Sequence, residues 1–506
     1  MDTSDHDAAL ISDLRRLLQR LNSLPEDTEA RLTPLGERVR DHLGVDPADL
    51  PLVSERIRPH RLVDVDLALL ALSGDDPDAA LVGVGGGQER QHEDLTGLLR
   101  HRYSSFTAHG PIDYTTAATG PHSTRQVVAF GLRLFRFGGE PVAVLQRDAE
   151  PRYGRDDALV EVLATSAETS TALVADIRRL MTERSVMRGN IVSFGSSEFG
   201  QGLGRMTFLE RPSVPASAVV LPEGVLPRIR DHVVGIAEHA DALRAQGQHL
   251  KRGVLLYGPP GTGKTLTVRH LLHETPGTTA VLLQGASLGL ISEAARLARA
   301  MTPAIVVLED VDLVAAERGM FGAGDPLLFE VLDALDGLDG EADVAFVLTT
   351  NRADMLEPAL AARPGRVDLA VEIPLPDAEA RRGLFRMYSD GLPLSGAALD
   401  DAADRAAGVT ASFAKELIRR AVLRAVLAGR DVTDDDLSGA LDEMLAAAHG
   451  VSRALFGGEG TSPGAPGTVE HEHGGGFGWF ASTGGVTFGT HAPQDPDYLD
   501  GSPPED

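Results

Sequence analysis

Apolar positions change their spacing several times along the chain, and each change marks an expected element. Between 7 and 24, Leu10, Leu14, Leu17, Leu18 and Leu21 recur at helical spacing and predict an amphipathic helix. Such a stripe suits a packing helix or an oligomerisation helix. From 59 to 211 the pattern is mixed. The runs 126–137 and 141–147 are β-rich, and Gly138-Gly139-Glu140 between them predicts a hairpin. A long helix is expected over 156–187, so this stretch reads as an α+β region. Within it, Gly83-Val84-Gly85-Gly86-Gly87 lacks the third glycine of a dinucleotide fingerprint, because Gln88 stands there, and it reads as a flexible turn. Residues 218–375 alternate short apolar runs with helical segments, the signature of a parallel α/β sheet. The stretch 377–449 is helical throughout and rich in alanine, leucine and arginine.

Composition changes the picture at the C-terminus. Beyond Phe456 the chain is rich in Gly, Pro and Ser, and from Gly457 to Asp506 it has eight acids and neither lysine nor arginine. Such a tail cannot bury enough apolar surface to offset its ordering entropy and is expected to be disordered. Phe477-Gly478-Trp479-Phe480 interrupts it, either as a chance aromatic cluster or as a short docking motif.

The formal charge of −27 opposes non-specific nucleic-acid binding, whose affinity comes from basic residues neutralising phosphates. No apolar run approaches the roughly 18 residues of a membrane span. The acidic start lacks the basic and apolar stretches of a signal peptide. With no cysteine there is no disulfide framework and no thiolate chemistry. A cytoplasmic protein without membrane or nucleic-acid partners is the expectation.

Candidate chemistry centres on lysine. Of forty-seven basic residues only Lys251, Lys264 and Lys415 are lysines. Lys264 lies in Gly258-Pro259-Pro260-Gly261-Thr262-Gly263-Lys264-Thr265, which fits the phosphate-binding P-loop G-x-x-x-x-G-K-[ST]. A compact ammonium on a flexible stem reaches the β/γ-phosphates there, and a planar guanidinium does not replace it. Val254-Leu255-Leu256-Tyr257 predicts a buried strand before the loop. Thr265, Leu266 and the residues to Leu272 predict a helix whose first amides face phosphates.

A second buried strand, Ile305-Val306-Val307-Leu308, ends in Glu309-Asp310-Val311-Asp312, where carboxylates suit Mg²⁺ and an attacking water. A third, Val344-Ala345-Phe346-Val347-Leu348, ends in Thr349-Thr350-Asn351, whose amide can orient that water. His270 and His273 have no apparent metal-binding partners and read as core or solvated residues. Asp333, Asp336 and Asp339 read as a solvated face.

After Asn351 come Arg352-Ala353-Asp354-Met355-Leu356-Glu357-Pro358-Ala359-Leu360 and Ala361-Ala362-Arg363-Pro364-Gly365-Arg366-Val367-Asp368. This resembles the second region of homology of the AAA ATPases, over roughly 218–450. The resemblance implies a P-loop parallel-sheet core (212–376) and a small helical subdomain (377–450). Before them stand an N-terminal helical segment (1–58) and an α+β domain (59–211), and the tail (451–506) follows.

The resemblance also implies roles. The P-loop with Leu266 binds ATP, Lys264 and Thr265 being the Walker A residues, and Thr265 and Glu309 hold Mg²⁺. Glu309 and Asp310 are the Walker B pair and Asn351 is sensor 1. Arg363 and Arg366 are arginine fingers that reach a neighbour's nucleotide, hence a homo-oligomeric ring, most often a hexamer. Gly408-Val409-Thr410-Ala411-Ser412 matches the start of the small-domain helix over the adenine.

Two departures stand out. The family's Walker B order is Asp then Glu, inverted here, which puts the hydrolysis rate in doubt. Family unfoldases carry an aromatic pore loop before Walker B, yet 281–305 contains no aromatic residue. Leu288-Gly289-Leu290-Ile291 occupies that place with aliphatic grip alone. Arg318-Gly319-Met320-Phe321-Gly322 reads as a second pore loop or a mobile surface loop. The expected function is an ATP-hydrolysing ring that remodels a protein substrate, or alternatively an ATP-switched scaffold with slow hydrolysis.

Overall fold

The hairpin expected at Gly138-Gly139 organises the N-terminal sheet. In the computed structural model, residues 31–101, 106–196, 203–312, 342–352 and 367–455 are described. Thr124–Phe137 (β4) and Glu140–Arg147 (β5) pair in register with Phe137 opposite Glu140. Gly138 and Gly139 have φ of 59° and 90°, as a two-residue hairpin loop requires. Leu52–Ile57 (β1), Ala80–Val82 (β2), Asp113–Ala118 (β3) and Ala158–Ala164 (β6) complete a six-stranded antiparallel sheet in the order β1-β6-β5-β4-β2, with β3 also on β4.

Alternation along β5 sends Val142 and Val144 to one face and Ala143 and Leu145 to the other. The first face packs on Leu62–Ser73 (α2) and Ala167–Glu183 (α4). The second packs on Pro34–Leu43 (α1) and Leu95–Leu99 (α3).

The long helix expected over 156–187 is instead β6 followed by α4. Ala158–Ala164 lies between β1 and β5 with both faces covered, so it reads as a nearly continuous apolar run without period-2 alternation. Ser166 then caps α4, its hydroxyl accepting the Thr169 N–H at 3.1 Å. Of the glycines at 83–87, expected as a flexible turn, Gly86 and Gly87 do lie at a turn with positive φ, while Gly83 and Gly85 sit at a backbone crossing. A Cβ on Gly83 would stand 2.0 Å from the Gly110 carbonyl, and the Gly85 N–H donates to the Thr107 carbonyl at 2.8 Å. Two backbone segments cross there too closely for side chains.

The second sheet has seven strands in the order β13-β9-β12-β11-β10-β7-β8. These are Ile191–Ser196 (β7), Leu203–Leu209 (β8), Arg252–Tyr257 (β9), Thr279–Gln284 (β10), Ala304–Glu309 (β11), Val344–Thr350 (β12) and Leu369–Glu372 (β13). All neighbouring pairs run parallel except β7 with β8. Strands β7 and β8, which the sequence reading assigned to the α+β domain ending at 211, are hydrogen-bonded into this sheet. Lys264–Glu274 (α5) covers one face through Val268, Leu271 and Leu272, against Val254, Leu256, Ile305 and Val307. Ile291–Ala300 (α6) covers the other, against Leu255, Val306, Leu308 and Phe346. Residues 225–245 form a broken helical lead-in.

Buried polar side chains tie the two sheets. Asp64 on α2 accepts the Val186 N–H at 3.0 Å and the Ser185 hydroxyl at 2.9 Å. Arg188 donates to the carbonyls of Thr182 (2.7 Å), Ala300 (2.9 Å) and Thr302 (3.2 Å), the last two at and just beyond the end of α6. Arg211 donates to Leu272, Thr275, Gly189 and Thr278 at 2.7–3.1 Å, gathering the end of α5.

The chain divides into two compact units. The described residues within Met1–Gly258 and Lys264–Ile373 form one, and those within Pro259–Gly263 and Pro374–Asp506 the other. The second holds four helices, Ala378–Tyr388 (α7), Gly396–Arg405 (α8), Ala411–Leu427 (α9) and Asp434–Leu455 (α10), around Phe385, Leu417, Ala421 and Leu441. Among the described residues, no helix is long and apolar enough to cross a membrane. The expected helix at 7–24, the acid run at 333–339, Phe321 and the tail beyond Leu455 lie outside the described residues.

Candidate functional site

Parallel register brings the singled-out strand ends to one edge of the second sheet. Tyr257 at the end of β9 lies opposite Thr350 at the end of β12, and Leu308 of β11 opposite Leu348 of β12. The residue after each strand therefore emerges on the same side: Gly258, Asp310 and Asn351. This carboxyl edge is where open parallel sheets take ligands.

Gly258 has φ of 144°, and a Cβ there would stand 2.2 Å from the Ile373 carbonyl, so only glycine lets the chain turn out of β9. Gly263 has φ of 113° with nothing within 4 Å of its absent Cβ, which leaves backbone open at the helix start. Inside the loop the Thr262 hydroxyl donates to the Pro259 carbonyl at 2.9 Å. Pro259–Gly263 groups with the helical unit, where the Ser412 N–H donates to the Gly261 carbonyl at 3.1 Å. Thr410 caps α9 by accepting the Phe413 N–H at 3.2 Å.

Lys264 is buried, and its ammonium donates to the Gly258 carbonyl at 2.7 Å. Desolvation pulls this lysine down to about 8, against the pull of Asp310 and Asp312. A buried ammonium at a helix N-terminus beside positive-φ glycines fits a phosphate chain.

The Thr265 hydroxyl hydrogen-bonds the Glu309 carboxylate. Burial and then the neighbouring Asp310 hold Glu309 above the usual carboxylate range. Asp310 is likewise raised, by burial and then by Asp312, with Lys264 and Asn351 acting the other way. Crowded, half-desolvated carboxylates beside a hydroxyl are hard oxygen donors, and they fit a divalent cation such as Mg²⁺.

Asp310 has φ of 50°, the left-handed region that non-glycine residues enter at a cost. Its N–H donates to the Thr349 hydroxyl at 3.0 Å, which holds the turn. The Asn351 amide lies 3.4 Å from Asp310 Oδ1 and 3.4 Å from Asp312 Oδ2.

Sequence reasoning named Asp312 among the strand-end carboxylates but gave it no role of its own. It is buried, and its Oδ1 accepts the Thr350 hydroxyl and the Asn351 N–H, each at 3.0 Å. The Arg352 N–H donates in turn to the Thr350 hydroxyl at 3.0 Å. Asp312 thus pins the end of β12 to the end of β11. The legible signal was its position two residues after Asp310 on a strand exit, together with the Thr349-Thr350 pair before Asn351.

Other candidates resolve differently. Leu288 and Ile291 are fully buried in the core under α6, leaving Gly289 exposed and Leu290 half-buried, so the aliphatic grip expected there is mostly interior. His270 is buried with Nδ1 2.9 Å from the Val214 carbonyl, a core histidine. Arg363 and Arg366 lie outside the described residues.

Residues 254–375 match the model of the family described as "ATPase family associated with various cellular activities (AAA)". Similar proteins include the ATP-dependent zinc metalloprotease FtsH 2 of Sphaerobacter thermophilus, 33% identical over 302 residues, covering 54% of this chain and 46% of that one. The proteasome-activating nucleotidase of Thermococcus onnurineus is 29% identical over 262 residues, 49% of this chain and 65% of that one. That of Pyrococcus horikoshii is 31% identical over 252 residues, 47% and 63%. The matches thus span about half to two thirds of these relatives' length. Residues 254–375, with their P-loop at the edge of a parallel sheet, thus form a domain of the AAA family of P-loop ATPases, and the chain is related through it to FtsH and the proteasome-activating nucleotidases.

Proposed function

We propose that this protein hydrolyses ATP to ADP and phosphate with Mg²⁺ and uses the cycle, as a ring of identical subunits, to remodel a protein or protein complex. The observation that carries the reading is the convergence of Lys264, the Thr265–Glu309 pair and the Asp310–Asn351 pair at one sheet edge. Lys264 and the P-loop amides hold the phosphates. Thr265 and Glu309 would hold Mg²⁺, which supplies charge neutralisation across phosphate oxygens when bound. Asp310 orients the attacking water and takes its proton, and Asn351 aligns it. Arg363 and Arg366 act on the nucleotide of a neighbour.

Lys264→Ala should abolish ATP binding in a titration. Asp310→Asn should bind ATP with unchanged affinity and lose turnover by about 10²–10⁴-fold, the usual contribution of a general base. Parental turnover in Asp310→Asn would remove Asp310 from its role.

The burial of Leu288 and Ile291 favours a second reading, an ATP-switched scaffold with slow hydrolysis and no threading. ATP-dependent unfolding of a tagged model protein decides between them: unfolding supports remodelling, and its absence alongside ATP-dependent assembly supports the scaffold.

A further inference from the structure

The helical unit contains a cavity of about 780 Å³, bordered at one end by Thr410 and Ser412 at the start of α9. Its floor is apolar: Tyr388 from α7, Phe413 and Ile418 from α9, and Met444 from α10. Its rim is cationic. Lys415 is exposed and has no ion-pair partner among the described residues. Arg419 and Arg420 on the same rim share the single carboxylate of Glu416, at 2.7 and 2.8 Å, so the rim keeps excess positive charge. A volume in the range of about 300–1,000 Å³, an apolar floor and a few charged groups make a cavity able to take large side chains.

We propose that the aromatic segment Phe477-Gly478-Trp479-Phe480 of this same chain docks in that cavity, with its acidic neighbours on the cationic rim. The chain's own path supports this occupant. Ala447 of α10 lines the cavity, and α10 runs on to Leu455, about 12 Å further at the helical rise of ~1.5 Å per residue. Residues 456–476 then separate the helix end from Phe477, a length that reaches up to about 70 Å. The return is therefore well within reach.

Charge matches as well. Glu470 and Glu472 stand just ahead of the aromatic cluster, and the chain after Gly457 carries eight acids with no lysine or arginine. Three aromatic side chains in four residues supply the apolar area that the floor accepts. The proposal does not depend on the remodelling reading, since it invokes neither Lys264 nor the Walker B carboxylates.

Trp479 is the only tryptophan in the chain, so intrinsic fluorescence of the full-length protein reports on this segment alone. Docking should give a blue-shifted emission with weak acrylamide quenching. Lys415→Glu and Ala447→Glu, both at exposed rim positions, should each shift the emission to the red and raise the quenching constant. Unchanged far-UV dichroism verifies that the helices remain folded. Wild-type emission like that of free tryptophan, or emission indifferent to both substitutions, would overturn the proposal. A blue shift that appears only on raising protein concentration would overturn docking within one chain and assign the cavity to a neighbour's tail.

Discussion

Asp312 shows how a residue that need not touch substrate can govern a site. Its carboxylate collects the Thr350 hydroxyl and the Asn351 backbone N–H, so the two strand ends carrying Asp310 and Asn351 hold a common spacing. Removing it leaves a half-buried N–H and a buried hydroxyl without their acceptor. Asp312→Ala should therefore destabilise the protein by about 1–3 kcal/mol, read from urea unfolding. ATP hydrolysis should fall further than ATP affinity, because Asn351 loses its alignment while the P-loop stays intact. Asp312→Asn keeps one acceptor oxygen and should recover part of the stability. Equal losses of affinity and turnover would reduce Asp312 to a packing role. Asp310 itself stands at φ 50° with its carboxyl raised by burial and then by Asp312, a strained position that holds its carboxylate for use.

At the scale of elements, the carboxyl end of α5 is held by one side chain. Arg211 donates to four carbonyls, those of Leu272, Thr275, Thr278 and Gly189, and burial lowers its proton affinity. Arg211→Ala should cost roughly 3 kcal/mol or more in a denaturant titration, given about 1.5–3 kcal/mol for hydrogen bonds to a charged group. Arg211→Lys should restore only part, because an ammonium cannot span the fork of a guanidinium.

In the helical unit, Arg419 first and Arg420 next hold the Glu416 carboxyl at about 2, below its ordinary 4.5. A depressed carboxyl contributes stability that is present above pH 4.5 and lost as pH falls towards about 2. Wild type and Glu416→Gln should therefore differ in melting temperature at neutral pH and converge across that acid window. Glu416 remains about a third exposed, so the difference is small. A gap that widens with acid would contradict the pairing.

For the whole molecule, the proposed ring makes one thing testable, completion of one subunit's site by another. Asp310→Asn and Arg363→Ala proteins, each inactive alone, should regain part of the ATPase activity when mixed. Interfaces that join an intact Asp310 to an intact Arg363 then exist. Activity that stays at zero in every mixture would place Arg363 outside a trans role.

What the sequence by itself determined is the local chemistry. The P-loop, the carboxylates after β11 and Asn351 are contiguous motifs whose spacing and flanking apolar runs are legible without contacts. The hairpin at Gly138-Gly139 is equally local, since two glycines at positive φ satisfy its turn. Only the tertiary structure decided the rest. Ala158–Ala164 is a strand because it pairs with β1 and β5, and the helices packed on both faces of the sheet erase the alternation that would have marked it. Leu288 and Ile291 turn inward because α6 needs them in its core. Ile191–Ser196 joins the ATPase sheet through pairing with β10, nearly ninety residues away, and Leu203–Leu209 follows by pairing with Ile191–Ser196. Asp312 acquires its role only when β12 arrives beside β11. Motifs are read along the chain, but burial and pairing are set by what lies across from it, and one-dimensional spacing does not contain that information.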